Sequence, residues 1–262
     1  MTYETMTYEV ADNIATITLN RPDNANALNA KMAEELFDVS VKCDVDPEVR
    51  CVILTATGKL FCGGGDLAEM HEAGADQEAH LLTMATILHQ GVIRFSKMDA
   101  PLIVAVNGTA GGGGFSLVLA GDYVISSDKA KFVSAYTASA LTPDGSSTYF
   151  LAKHVGLLRA KELAMTNRLL TAEEACEWGM VSKVVPHDTL MDEAMAMARK
   201  FAAGPTAAYG GVKRLALTAF SDPMEAQLDK ESISISSLMR GHDGPHGIES
   251  FLKKEKPSFE GN

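Results

Sequence analysis

The sequence contains FCGGGDL at Phe61–Leu67 and NGTAGGGGF at Asn107–Phe115, and these two glycine-rich segments decide its fold. Each follows a short apolar stretch, Cys51–Leu54 or Leu102–Val106, that is typical of a buried strand, and each leads into a helical pattern. Glycine at such a turn permits positive φ and lets a ligand approach the main chain without an intervening Cβ. The first N–H groups of a helix lack partners within it, so both segments are candidate anion-binding turns.

Other interpretations of the glycine runs compete with this one. A single run is more often a plain tight turn. Gly63, Gly65 and Ala68 fit the loosest dinucleotide-binding pattern, but no acidic residue closes a second strand about 20 positions later. The sequence also lacks the G-x-x-x-x-G-K-[ST] motif of phosphate-transferring enzymes. Two helix-opening amides that meet at one point would instead form an oxyanion hole, a device that stabilises a developing negative charge.

Outward from these segments the pattern predicts a repeated βα core. An N-terminal hairpin is expected to turn at Asp12-Asn13, and the apolar spacing of Ala30–Cys43 predicts a helix. Tyr123–Ser127 repeats the strand pattern. After Pro143 the sequence is almost entirely helical in pattern, interrupted by one strand at Ser182–Val185. The helices are predicted at Ser147–Val155, Arg159–Thr166, Ala172–Gly179, Leu190–Ala203, Ala207–Ala219 and Met224–Met239.

Composition narrows the class of protein. The 262 residues, 46% of them hydrophobic, suffice for one large buried core. The net charge of −11 disfavours nucleic acid as a partner, because phosphate binding normally needs clustered Lys and Arg. The four cysteines lack the paired spacing of zinc or redox motifs, no hydrophobic signal segment precedes the first strand, and no apolar stretch approaches the roughly 20 residues of a membrane span. We therefore expect a soluble, cytoplasmic protein with no membrane contact.

The whole pattern resembles the crotonase (enoyl-CoA hydratase/isomerase) superfamily, and the likeness runs nearly end to end. Each motif is common alone, whereas their combination is specific. The segments that carry the resemblance are TITLNRP at Thr16–Pro22, NALN at Asn26–Asn29, Phe61–Met70, Pro101–Asp122, AKF at Ala130–Phe132 and Leu170–Pro186.

The resemblance implies a fold and a ligand. The fold is an α/β spiral of ββα turns at residues 1–204, holding an acyl-CoA site, followed by a helical trimerisation region at residues 205–262. The oxyanion donors are the N–H groups of Gly65 and Gly113. Coenzyme A lies over the first glycine run, in a groove lined by Ala25 and by the backbone of Gly63, Gly64, Asp66 and Leu67. Lys59 is either a contact to a CoA phosphate or an ordinary solvated lysine.

The catalytic carboxylates of the family's hydratases are missing from this chain. Their two glutamates correspond to Ser116 and Tyr136, and neither side chain can do the work of a carboxylate. Asp144, in LTPDGSS at Leu141–Ser147, stands where the family's double-bond isomerases carry their single acidic residue. One base that removes a proton and returns it elsewhere suffices for an isomerase. The competing interpretation of Asp144 is a cap at the start of the next helix.

A second set of residues resembles the hydrolytic 4-chlorobenzoyl-CoA dehalogenases. In that branch an aspartate nucleophile corresponds to Asp144, a histidine base to His89, and a tryptophan to Tyr136, which is therefore a candidate substrate contact. Gly65 replaces a bulky aromatic residue of that branch, so the clamp for an aryl ring is incomplete. A histidine on an apolar helix is also often a structural residue. The remaining histidines, including His80, are interpreted as structural or surface residues without metal-binding spacing.

We predict from this an enoyl-CoA isomerase that uses Asp144, in a homotrimer or homohexamer. Three alternatives stay open: a hydratase with an unrecognised base, an aryl-CoA dehalogenase or hydrolase that uses Asp144 with His89, and a non-catalytic acyl-CoA binder. Coenzyme A is part of the substrate, and no metal or other cofactor is expected.

Overall fold

A computed structural model describes residues 3–262 of the chain. The helices and strands alternate up to about residue 133 and helices dominate thereafter. The strands are β1 (Met6–Ala11), β2 (Ile14–Leu19), β3 (Cys51–Ala56), β4 (Leu60–Cys62), β5 (Leu102–Val106), β6 (Thr109–Gly111), β7 (Tyr123–Ser127), β8 (Lys131–Val133), β9 (Leu170–Thr171) and β10 (Lys183–Val185). The helices are α1 (Ala30–Val45), α2 (Leu67–Glu72), α3 (Gln77–Lys97), α4 (Gly113–Leu119), α5 (Ser147–Val155), α6 (Leu157–Thr166), α7 (Ala172–Glu177), α8 (Leu190–Ala202), α9 (Thr206–Thr218), α10 (Met224–Ser237) and α11 (Asp243–Lys253).

The larger sheet has six strands in the order β1-β2-β3-β5-β7-β10. Its first pair is the predicted antiparallel hairpin, which turns at Asp12 and Asn13, both with positive φ. The remaining neighbours are parallel. Every residue of β3 and β5 is buried, as expected for central strands with helices on both faces.

The smaller sheet, β4-β6-β8-β9, was largely missed from the sequence. Its strands have two or three residues each, too few for the period-two alternation that identifies a strand. The prediction of a single strand after Pro143 is wrong, because Leu170–Thr171 pairs antiparallel with β8.

The two sheets together produce a spiral. Three times in succession a strand of the larger sheet is followed by a strand of the smaller one: β3 then β4, β5 then β6, and β7 then β8. A helix follows the first two of these pairs directly, and α5 follows the third after a short 3-10 turn. The predicted fold class, an α/β spiral of ββα turns with a helical C-terminal region, is confirmed. No helix among residues 3–262 combines the length and the apolar character needed to cross a membrane.

A buried ion pair attaches the C-terminal helices to this spiral. Lys213 of α9 donates from Nζ to the carbonyl oxygens of Phe95 (2.9 Å) and Ala100 (2.8 Å) and lies 2.7 Å from Oδ2 of Asp122. Burial lowers the pKa of Lys213 and raises the pKa of Asp122, although the attraction between the two charges opposes both shifts. The Lys213 ammonium group thus has three oxygen partners near the C-terminal end of α3. The domain boundary predicted between residues 204 and 205 stays a prediction.

The ion pair makes a stability prediction. Lys213→Met should lower the free energy of unfolding by about 1–3 kcal/mol, because it removes the donor to the Phe95 and Ala100 carbonyl oxygens and the charge that pairs with Asp122. Urea unfolding at neutral pH measures the change. Adding Asp122→Asn to Lys213→Met should restore only the part of the loss that comes from the unpaired charge, whereas Lys161→Met, at an exposed position of α6, should change stability by less than about 0.5 kcal/mol. A Lys213→Met protein as stable as the wild type would contradict this description.

Candidate active site

The two glycine runs lie against each other at backbone distance. Gly64 has φ +112° and Gly112 has φ +49°, values that side chains rarely tolerate. A Cβ on Gly64 would stand 3.2 Å from the carbonyl oxygen of Gly111, and a Cβ on Gly112 would stand 3.3 Å from Cα of Gly64. The runs therefore need glycine for two reasons, the backbone conformation and the close approach of two main chains.

Each of these glycines is followed by a residue that lines a shared cavity. Gly65 and Gly113 both line it, and among residues 3–262 neither N–H has a hydrogen-bond acceptor. Gly113 is the first residue of α4, where an amide has no partner within the helix. Neighbouring amides are occupied: Gly63 donates to Ala25 at 2.8 Å and Asp66 donates to Leu28 at 2.8 Å.

The cavity has a volume of about 430 Å³ and predominantly apolar walls. α3 and the segment before it provide one wall, and the turn between β8 and α5 provides another. Four of the wall residues, Leu81, Leu82, Met84 and Leu88, belong to no sequence motif and are recognisable in the sequence only as part of the apolar face of α3. The aliphatic and sulfur-containing side chains of the walls are Leu28, Leu67, Met70, Leu81, Leu82, Met84, Leu88 and Leu141.

Asp144 is the carboxylate that the structure brings to this cavity beside Gly113. Its Oδ1 accepts a hydrogen bond from the Tyr136 hydroxyl at 2.8 Å, and its Oδ2 lies 3.2 Å from Nε2 of His89. The Asp144 side chain keeps 33% of its surface exposed, so it is accessible from the cavity. An ideal Cβ on Gly113 would stand 4.0 Å from the Tyr136 hydroxyl, so the tyrosine that donates to Asp144 lies close to Gly113.

The interpretation of Asp144 as a helix cap is wrong. The N-cap of α5 is Ser146, and no side chain caps this helix. The Asp144 carboxylate instead interacts with Tyr136 and His89, from separate parts of the chain. Backbone strain marks the same region, because Ala135, Ala140 and Ser146 all have positive φ without being glycine. Strain of this kind often accumulates where a fold fixes functional side chains.

His89 lies behind Asp144 and does not line the cavity. Its Nε2 accepts a hydrogen bond from the Gly145 amide at 3.0 Å, in addition to the contact with Asp144. The side chain is 40% exposed, so the alternative interpretation of His89 as an apolar core residue is wrong. His80, interpreted as a surface residue, also differs: its Nε2 is buried and stands 3.0 Å from the Glu69 carboxylate.

The predicted coenzyme A residues lie around the first glycine run. Gly63, Gly64 and Leu67 line the cavity, whereas Ala25, Lys59 and Asp66 do not. Ala25 has φ +56° and accepts from the Gly63 amide. The Asp66 side chain is engaged by an ion pair with Arg21 at 3.0 Å and by capping of α2, which leaves only its backbone for the predicted contact.

No metal site competes with this cavity. Within residues 3–262, no three side chains of the metal-ligating types His, Cys, Asp and Glu lie together. Cys62 beside the first run is fully buried, and burial raises the pKa of its thiol to about 12, so it is an inert core residue rather than a nucleophile.

The sequence matches a known protein family over almost its whole length. A family model described as enoyl-CoA hydratase/isomerase matches residues 9–262. The chain belongs to the enoyl-CoA hydratase/isomerase family. This confirms the predicted membership and shows an acyl-CoA-processing enzyme of the crotonase type.

Proteins similar to this enoyl-CoA hydratase/isomerase family enzyme are named as isomerases, dehalogenases and hydratases. It is 36% identical over 253 residues to 1,2-epoxyphenylacetyl-CoA isomerase of Escherichia coli (strain K12), covering 96% of this chain and 97% of that protein. It is 32% identical over 254 residues to 4-chlorobenzoyl coenzyme A dehalogenase-2 of Arthrobacter sp, covering 95% and 91%. The crystal structure of enoyl-CoA hydratase from Bacillus anthracis superimposes with a TM-score of 0.91 at 30% identity, covering 99% and 100%.

The contact between the glycine runs generates a prediction for this family enzyme. Gly64→Ala should lower turnover of an enoyl-CoA by about 10²- to 10³-fold, the usual effect of losing one oxyanion donor, because the new Cβ forces the Gly64–Gly65 peptide to move. Steady-state kinetics with 3-enoyl-CoA and crotonyl-CoA measures it. The matched control is Gly74→Ala, at φ +56° with nothing within 4 Å of the new Cβ. Equal losses of turnover in Gly64→Ala and Gly74→Ala would contradict this explanation, because they would show that backbone strain at a positive φ lowers turnover wherever the Gly65 amide lies.

Proposed function

We propose that this protein is an enoyl-CoA isomerase in which Asp144 moves a proton while the amides of Gly65 and Gly113 hold the thioester oxygen. The observation that carries this proposal is the Asp144 carboxylate, which lines the cavity with Gly113 and accepts from Tyr136, while Ser116 and Tyr136 stand where a hydratase has its glutamates. The cavity has a second carboxylate, Glu78, on α3. The 1,2-epoxyphenylacetyl-CoA isomerase among the relatives supports an isomerase chemistry of this type.

The reaction needs only groups that the cavity offers. The Asp144 carboxylate takes a proton from the carbon next to the thioester carbonyl, and the electron pair of that C–H bond moves into the carbonyl to give an enolate. Both amides donate to the enolate oxygen, and their interaction strengthens as its charge grows. Asp144 then returns the proton at the far end of the allylic system, so atoms and charge balance. The apolar walls keep water from the enolate.

Coenzyme A occupies the groove along the first glycine run in this proposal. Gly63, Gly64 and Leu67 border the cavity entrance, with Ala25 behind them and Lys59 preceding the run as the candidate phosphate contact. The assembly is a homotrimer or a homohexamer. Exposed apolar side chains on α10 and α11 support an interface there, because Leu228, Ile233, Ile235, Ile248 and Phe251 are all more than half exposed in the single chain.

Replacing Asp144 tests the isomerase directly. Asp144→Asn should reduce isomerisation of a 3-enoyl-CoA to background while leaving CoA-ester affinity within a few-fold, because the amide has nearly the same shape but cannot accept the proton. Diene or enoyl absorbance follows the reaction, and calorimetry measures binding. Asp192→Asn, on the exposed first turn of α8, should behave as wild type. Undiminished turnover by Asp144→Asn would remove this carboxylate from the mechanism.

The contact of His89 with Asp144 favours a second candidate, an aryl-CoA dehalogenase or hydrolase. The 3.2 Å separation places a base beside a carboxylate, and one relative is named as a 4-chlorobenzoyl-CoA dehalogenase. In that reaction Asp144 attacks a ring carbon, chloride leaves, and water activated by His89 hydrolyses the aryl ester to regenerate the carboxylate. The aliphatic walls and Gly65 offer little to clamp an aryl ring, so we rank this candidate second.

His89→Gln separates the two candidates. With 4-chlorobenzoyl-CoA, a dehalogenase lacking His89 should accumulate an ester on Asp144, visible as a mass increase of the intact protein that Asp144→Asn abolishes. An isomerase should show no adduct and lose only a few-fold in turnover, because the amide oxygen of glutamine can accept the hydrogen bond that His89 accepts from Gly145. Crotonyl-CoA hydration reports the hydratase alternative, and retention of CoA esters with every substrate unchanged would identify a non-catalytic binder.

A further inference from the structure

The hydroxyl groups of Ser116 and Tyr136 touch each other and Asp144. Ser116 Oγ lies 2.8 Å from the Tyr136 hydroxyl and donates to the Asp144 carbonyl oxygen at 2.9 Å, and the Tyr136 hydroxyl lies 2.8 Å from Oδ1 of Asp144. We infer that Ser116 and Tyr136 form a two-hydroxyl chain that positions the Asp144 carboxyl group and reverses its hydrogen-bond direction as that group takes and returns a proton. This inference deepens the isomerase proposal and rests on it.

The number of hydrogens shared by Ser116, Tyr136 and Asp144 supports this reversal of hydrogen-bond direction. When Asp144 is ionised the chain has only two hydroxyl hydrogens: Tyr136 donates to Oδ1, and Ser116 donates to Tyr136, to the Asp144 carbonyl or to the Gly112 carbonyl at 3.3 Å. When Asp144 is protonated a third hydrogen is present. Oδ1–H then donates to Tyr136, Tyr136 donates to Ser116, and Ser116 donates to the Asp144 carbonyl. Hydroxyl groups rotate between these patterns without moving heavy atoms, so Oδ1 has a partner in both states.

Burial of the two hydroxyl groups strengthens their hydrogen bonds to Asp144. Ser116 is 1% exposed, and burial together with the neighbouring Asp144 charge raises the pKa of Tyr136, so both hydroxyls keep their hydrogens at every working pH. Water does not compete with them at Ser116. In a medium of low polarity, a hydrogen bond to a carboxylate is about twice as strong as one between neutral groups.

The turn that carries Asp144 lies directly against Ser116. A Cβ on Gly145, whose φ is +59°, would stand 2.9 Å from Cβ of Ser116. A side chain at position 145 would therefore displace this turn. The serine is the complement of this turn, and the same packing fixes the Asp144 backbone next to the hydroxyl chain.

Tyr136→Phe provides the test. It keeps the ring but removes the donor to Oδ1, so kcat for 3-enoyl-CoA isomerisation should fall by about 10- to 100-fold with little change in KM, the loss expected for one hydrogen bond to a charged group. Tyr149→Phe, an exposed tyrosine of α5, is the matched control and should leave kcat and KM unchanged.

Two further measurements complete the test. Ser116→Ala should cost less than Tyr136→Phe, and the double variant should be no worse than Tyr136→Phe alone, because the hydroxyls act as one unit. Independently of turnover, ¹H NMR should show a downfield, slowly exchanging hydroxyl resonance that disappears in Tyr136→Phe and moves in Ser116→Ala. Absence of that resonance from the wild type overturns the hydroxyl chain even if the wild type isomerises. A wild type that fails to isomerise, with the resonance present, would instead refute the isomerase proposal alone.

Discussion

The close approach of two glycine turns is the constraint on which the site depends. Gly64 and Gly112 meet at backbone distance only because neither carries a Cβ, and each adopts a positive φ that turns the following amide. The strands that bring them together belong to the smaller sheet, where β4 pairs with β6. In the proposed mechanism, a ligand carbonyl in the shared cavity meets donors from two consecutive turns of the spiral. The backbone of the fold would then stabilise charge at this point before any side chain takes part.

The carboxylate is positioned by a different part of the structure. Asp144 lies in a strained turn after the last strand of the spiral, and its two oxygens contact a tyrosine and a histidine that come from separate elements. The amides proposed to stabilise charge and the carboxyl group proposed to move a proton therefore lie on separate parts of the structure. Within one family, such an arrangement allows the side-chain chemistry to change while the glycine turns stay the same.

Much of the fold could be predicted from the sequence. Leu102–Val106, Tyr123–Ser127 and Ser147–Val155 were predicted to the residue, because each is a long apolar or strongly periodic segment. The smaller sheet could not be predicted, since its two- and three-residue strands form only when the larger sheet has aligned them. The glycine runs and the family resemblance supplied Gly65, Gly113 and Asp144. They also suggested His89 as a partner of Asp144. By contrast, the meeting of Ser116 with Tyr136 and Asp144 depends on tertiary packing that no local pattern encodes.

The central claim is that the two amides polarise a thioester carbonyl, and vibrational spectroscopy of a bound ligand measures this directly. An acyl-CoA carrying a ¹³C-labelled thioester carbonyl, bound to the Asp144→Asn protein so that it does not react, should show its carbonyl stretch at a lower frequency than in water. The shift should disappear when Gly64→Ala is added. A carbonyl frequency unchanged on binding, with the ligand bound in the cavity, would contradict the account.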